Sequence, residues 1–182
     1  VGEIAMAGNA ASSNVEGIVY VAMNAYYHAS ITYISQNYGA GNFKRIGKGL
    51  RASCVSVAVT GIVFGGIMCL FPEFIIGIYT DAPDVIAVGA QRLVYLCSTY
   101  FLCGLMDVIV SGARGMGSSV VPMIISITGV CGIRILMVLT CTPYKEIEDL
   151  IMLYLSYPVS WAFTTTLHLI SFLILKRKKD TV

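Results

Sequence analysis

The sequence predicts an all-α fold, a polytopic bundle of transmembrane helices. Three observations lead there. The chain is 57% hydrophobic and only 12% charged, about half the charged share of a soluble domain. Its apolar residues fall in long runs, each reaching the roughly 20 residues that a helix needs to cross a bilayer. No strand-like alternation persists, and an open sheet edge would leave backbone groups unsatisfied in lipid.

Five runs qualify as spans, at about 4–36, 50–71, 88–113, 120–141 and 150–175; the rest reads as short connections and a basic tail, 176–182. The punctuation between runs has a physical basis. Gly39-Ala40-Gly41-Asn42 offers the glycines that a helix C-terminus favours. Pro72 stops the second run. Asp81-Ala82-Pro83-Asp84 reads as a turn and a helix start. Gly115-Met116-Gly117-Ser118-Ser119 divides the third run from the fourth, and Thr142-Pro143 divides the fourth from the fifth.

Charge alternates between the two ends of the bundle. Lys44, Arg45, Lys48 and Arg51 follow the first span, Arg114 the third, and Lys176, Arg177, Lys178 and Lys179 the fifth. Glu73, Asp81 and Asp84 follow the second span; Glu146, Glu148 and Asp149, against Lys145, follow the fourth. Basic loops favour the cytoplasm, so the expected N-terminus lies outside and the C-terminus inside, with Arg92 a minor exception. An odd number of crossings, and an opening at Val1 without Met, are expected of a piece of a longer protein. A formal net charge of +2 gives no case for nucleic acid. Cys54, Cys69, Cys97, Cys103, Cys131 and Cys141 form no CxxC pair and nearly all sit in apolar runs; they read as packing residues, not as metal ligands or disulfides.

Polar residues inside spans are the functional candidates, because each is expensive in lipid. Asn9, Ser13, Glu16, Tyr20, Asn24 and Tyr27 form one stripe at helical spacing, with His28 at its edge, and that stripe must face a bundle interior or a watery cavity. Asn9 and Ser13 read first as interhelical hydrogen-bonding groups; Glu16 reads as a candidate for ion coupling. On the third span Tyr100, Cys103, Asp107 and Ser111 share a face that Arg114 extends. Asp107 lies about 10 Å from the inner end by helix rise, deep enough for desolvation and shallow enough for ions to reach. Arg134 sits inside the fourth span. Its depth differs from that of Glu16 by roughly 7 Å, so a Glu16–Arg134 ion pair is expected. On the fifth span Tyr157, Trp161, Thr164, His168 and Ser171 share a face, and Pro158 is expected to kink it. Tyr157 and Trp161 also suit interface anchors, and His168 suits a hydrogen bond within the bundle.

Catalytic signatures are absent: the sequence has no HExxH, GxSxG or phosphate-binding Gly loop. Gly112, Gly115 and Gly117 follow a transmembrane run and not a strand, so they are no dinucleotide fingerprint. Several segments do resemble one transporter family. Gln36-Asn37-Tyr38-Gly39-Ala40-Gly41-Asn42 resembles the Q-x-x-G-A-G segment of the multidrug and toxic compound extrusion (MATE) family. Gly112-Ala113-Arg114-Gly115-Met116-Gly117-Ser118, then Pro122, resembles its R-G-x-G-x-x-x-P segment. Gly132-Ile133-Arg134 and Tyr157-Pro158-Val159-Ser160-Trp161 resemble its last two helices. These matches run in order over nearly the whole chain.

The resemblance implies the last five helices of a twelve-helix transporter built from two six-helix lobes, an inner-membrane protein of bacteria. It implies partners in the other lobe and in this lobe's first helix, and a cavity with alternating access. It also implies export of small organic or cationic compounds in exchange for Na⁺ or H⁺, with no cofactor beyond the transported ion. The acid that some members carry on the third span would fall near Cys103; here Asp107 stands one turn later on the same face. Two other readings stay open: a flippase for lipid-linked saccharides, whose cavity would be rimmed by several cations, and a structural membrane subunit.

Overall fold

A computed structural model describes residues 2–140 and 150–180. The segment 141–149 lies outside the described residues, with Cys141, the Thr142-Pro143 break and the charged residues Lys145, Glu146, Glu148 and Asp149. Every described element is helical: α1 (Glu3–Gly39), α2 (Phe43–Leu70), α3 (Pro72–Gly77), α4 (Pro83–Cys97), α5 (Tyr100–Gly115), α6 (Val120–Ser126), a π-helical turn (Ile127–Gly132), α7 (Ile133–Thr140) and α8 (Leu150–Asp180). Three stretches are long and apolar enough to cross a membrane, Phe43–Leu70, Val120–Thr140 and Ile151–Lys178, and the bent pair α4–α5 makes a fourth. With 37 residues, α1 is the longest of the described helices, but its polar stripe keeps it below that apolar standard.

The two glycine-rich turns at the basic end share one geometry. After α1, Gly41 takes φ +69°, its N–H reaches Tyr38 O, and Asn42 N–H reaches Asn37 O at 2.8 Å. After α5, Gly117 takes φ +83°, its N–H reaches Arg114 O, and Ser118 N–H reaches Ala113 O at 3.0 Å. Both are Schellman closures, in which a left-handed residue folds the chain back onto orphaned helix carbonyls. Glycine is the residue that adopts that conformation without a Cβ penalty.

Four helix boundaries differ from the sequence-based expectation. First, α2 begins at Phe43 and not near 50, because lysine and arginine are good helix formers although they end an apolar run. Second, the connection after α2 contains the short helix α3, started by Pro72 at its first turn. Third, the run expected as one span over 88–113 is two helices bent by 46°. Ser98 Oγ donates to Tyr95 O and Thr99 Oγ1 to Leu96 O, so consecutive hydroxyls take carbonyls that a straight helix would use. The elbow is seated in α2: a Cβ at Gly61 would meet Phe101 Cα at 2.8 Å, and one at Gly65 would meet Cys97 O at 2.4 Å. Small residues four apart let the backbones touch. Fourth, the run over 120–141 contains the π-helical turn, packed where Gly129 meets Thr164. By contrast α8 runs unbroken through Pro158.

The centre of the bundle is α5, which packs against α1, α2 and α8. Its inward residues join Met23, Leu50, Val57, Trp161 and Phe172 in one apolar cluster. Packing α1 and α6 beside α5 leaves a polar seam on one flank, and packing α2 and α8 leaves an apolar groove on another.

Candidate functional site

The polar stripe of α1 divides between two neighbourhoods. Its first part, near the acidic end, faces α4 and α8. Glu16 is buried and meets Arg92 of α4: Nε lies 3.2 Å from Oε1, at an angle too poor for a hydrogen bond, and Nη2 donates to Oε2 at 3.3 Å. Ser12 Oγ donates to Oε1 at 2.8 Å. Arg92 Nη1 donates to Asn9 O, and Tyr154 Oη of α8 donates to Asn9 Oδ1 at 2.7 Å. Three helices are tied together by one network, in which Arg92 Nε alone is left with the ion pair and no hydrogen bond. Its side chains are nearly closed to the surroundings, with Arg92 12% and Glu16 10% exposed.

The expected Glu16–Arg134 pair is therefore overturned. Equal depth along two helices brings side chains together only when the helices are neighbours. Here α1 lies beside α4, while α7 packs on α8 and on the π-helical turn. Arg134 instead lies 4.0 Å from the centroid of the Tyr157 ring and 5.8 Å from that of Trp161, a cation–π arrangement, and its Nε donates to Ser160 Oγ at 3.2 Å. Trp161 is 4% exposed and stands edge-on to Tyr100, with centroids 5.5 Å apart. These aromatics are thus packed inside the lobe. His168 is buried as well, its Nε2 3.1 Å from Ser126 Oγ.

The second part of the stripe faces α5 and α6. Tyr20, Asn24, Tyr27 and His28 line a pocket of about 200 Å³ with Asp107, Val110, Arg114 and Ser126. Tyr20 and Asn24 stand in the same pocket wall as the Asp107 carboxylate. Arg114 closes the basic end of the pocket, where its Nη1 donates to Tyr27 Oη at 2.9 Å. Helical spacing explains the grouping: residues 20, 24 and 27 share a face of α1, and 107, 110 and 114 share a face of α5. Chemically the pocket offers a carboxylate, a phenol and a carboxamide oxygen, the donor set of a hard cation or a proton. Tyr20 is 38% exposed, so the pocket is open.

Sequence reasoning placed Arg92 only as an exception in the charge count and missed Ser12, Tyr154 and Ser126. The signal for Arg92 was present, since an arginine well inside a span needs a partner as much as Glu16 does.

The family model MatE matches residues 1–140. The chain belongs to the MatE family. This agrees with the resemblance carried by the two glycine turns, both of which fall inside the match. The MatE-family chain is also 24% identical over 181 residues to the probable multidrug resistance protein NorM of Thermotoga maritima. That alignment takes in 100% of this chain and 39% of the relative, so the chain spans well under half the length of the protein it matches. With its apolar helices, this MatE-family chain is a multi-pass membrane protein.

Proposed function

We propose that this chain supplies part of one lobe of a secondary active transporter, an antiporter that exports small organic or cationic compounds in exchange for Na⁺ or H⁺ by alternating access. In that reading it crosses a bacterial inner membrane five times, with its N-terminus outside and its C-terminus in the cytoplasm. A further helix and a second lobe complete the cavity, the transported ion is its only small-ion requirement, and its work is transport and not catalysis. Membership of the MatE family and likeness to a protein named for multidrug resistance support the substrate class.

The observation that carries the reading is Asp107, a carboxylate set in an open pocket among neutral oxygens of Tyr20 and Asn24. Coupling requires one group whose occupancy by the driving ion changes its affinity for substrate. A carboxylate there can hold H⁺ or Na⁺ as alternatives and can attract a cationic substrate to the same place. A saccharide-phosphate flippase calls for several available cations. Arg92 is engaged by Glu16 and Arg134 by two aromatic rings, and the polar pocket itself is lined by a single arginine, Arg114, which leaves the exporter favoured.

The test is Asp107→Asn in the full-length protein, measured as ion-driven efflux from loaded vesicles. Efflux falls by at least about a hundredfold, the order of losing a group essential to one step, while the protein still folds and binds substrate. Wild-type efflux with unchanged dependence on Na⁺ and pH would refute the assignment.

A further inference from the structure

Basic residues from opposite ends of the chain meet at one end of the bundle. Lys44, Arg45, Lys48 and Arg51 lie on the first turns of α2, and Lys176 lies near the end of α8. Lys176 crosses Gly47, where an added Cβ would stand 2.9 Å from its Nζ. Arg51 is held by its Nε donating to Gly47 O at 3.2 Å. Beside these two cations opens a groove of about 280 Å³, walled by Leu50, Cys54, Ile109, Leu169, Phe172 and Leu173. Leu169 and Leu173 are 42% and 54% exposed, so the groove opens outward. Ile109 stands about 200° around α5 from Asp107, two residues at about 100° each. The groove therefore lies away from the polar pocket.

Loop charge bias asks only that cations gather at this end. It does not ask that two of them, from the second and the last helices, stand together at the mouth of an apolar groove. Guanidinium and ammonium groups at headgroup level, above an apolar trough that runs into the hydrocarbon, match a phosphate ester with an attached acyl chain.

We propose that this groove binds an anionic phospholipid, with its phosphate between Arg51 and Lys176 and one acyl chain along Leu50, Ile109 and Leu173. A zwitterionic lipid carries its own cation beside the phosphate and gains less from the pair. The site is independent of the transport reading.

The experiment uses the full-length protein, delipidated in neutral detergent, with lipid retention read by native mass spectrometry. The probes are dioleoyl phosphatidylglycerol, dioleoyl phosphatidylcholine and inorganic phosphate. Phosphatidylglycerol is retained at least about tenfold more tightly than phosphatidylcholine, and millimolar phosphate does not displace it. Arg51→Gln with Lys176→Gln weakens phosphatidylglycerol about 30-fold, the equivalent of about 1 kcal/mol per cation. Arg45→Gln with Lys48→Gln removes the same charge off the groove and weakens it less than about threefold. Leu173→Trp, at an exposed position, narrows the trough with both cations in place and also lowers retention; it decides the matter if the double variant fails to fold. Equal losses in the two double variants, equal retention of both lipids, displacement by phosphate, or no effect of Leu173→Trp would each overturn the proposal.

Discussion

Glu16 and Asp107 are both carboxylates inside the same helix bundle, and their company differs. Glu16 has a guanidinium, a serine hydroxyl and little exposure. Asp107 has a phenol and a carboxamide near it, Arg114 at the far end of its pocket, and an opening. A buried ion pair holds a fixed arrangement, because changing the charge of either partner strands the other. A carboxylate whose nearest company is a phenol and a carboxamide, with its one guanidinium already bonded to Tyr27, is less bound to a single charge state. The first arrangement ties α1, α4 and α8 together, and the second is the one on which the proposed ion exchange rests.

The largest effect should come from breaking the closed site. Arg92→Leu leaves Glu16 buried without its cation and should destabilise the protein by about 3–5 kcal/mol. Glu16→Leu with Arg92→Leu should recover much of that, as read by thermal unfolding in detergent in a double-mutant cycle. Simple additivity would show that the two charges do not depend on each other. Next comes the elbow that separates the two sites. Gly65→Val places a Cβ about where Cys97 O stands and should cost about 1–3 kcal/mol, whereas Gly66→Val, beside it and facing open space, should cost less than about 1 kcal/mol. Equal losses would remove the close contact from the account. Tyr154→Phe deletes one hydrogen bond to Asn9 and should cost about 1 kcal/mol with transport intact. The smallest stability change belongs to the open site. Tyr20→Phe should alter the stability read from the unfolding midpoint by less than about 0.5 kcal/mol, yet shift the Na⁺ or pH dependence of efflux, since it removes a hydroxyl from the pocket that holds Asp107. If Tyr20→Phe unfolds the protein and leaves ion dependence unchanged, the roles of the two regions are reversed.

Much of this was legible in the sequence. The long apolar runs gave the all-helical bundle, and Gly41 and Gly117 marked the two turns where the backbone requires them. The stripe Asn9, Glu16, Tyr20, Asn24, Tyr27 was readable as one polar face because helical periodicity is local. What faces it is not local. Depth along a helix axis follows from counting residues, so Glu16 and Arg134 looked level; lateral order in the bundle does not, and α4 rather than α7 lies beside α1. The elbow was hidden because Cys97, Ser98, Thr99 and Tyr100 interrupt hydropathy too little to mark a break. The same locality concealed the meeting of Arg51 with Lys176, which required two distant helix ends to be brought together.

The elbow also sets the distances at which the two sites stand from a common pivot point in the fold. Above it, α4 is pinned to α1 through Arg92; below it, α5 carries Asp107 and Arg114. By helix rise Asp107 lies about 12 Å from Thr99 and Arg114 about 22 Å. A swing of about 10° at this pivot, small among hinge motions, carries Asp107 through about 2 Å and Arg114 through about 4 Å. The first distance is enough to change the spacing from Tyr20, and the second to free Arg114 from Tyr27. With the upper arm pinned, any change of angle at Ser98 and Thr99 would therefore be felt least beside the elbow and most at the basic end, where Arg114 stands.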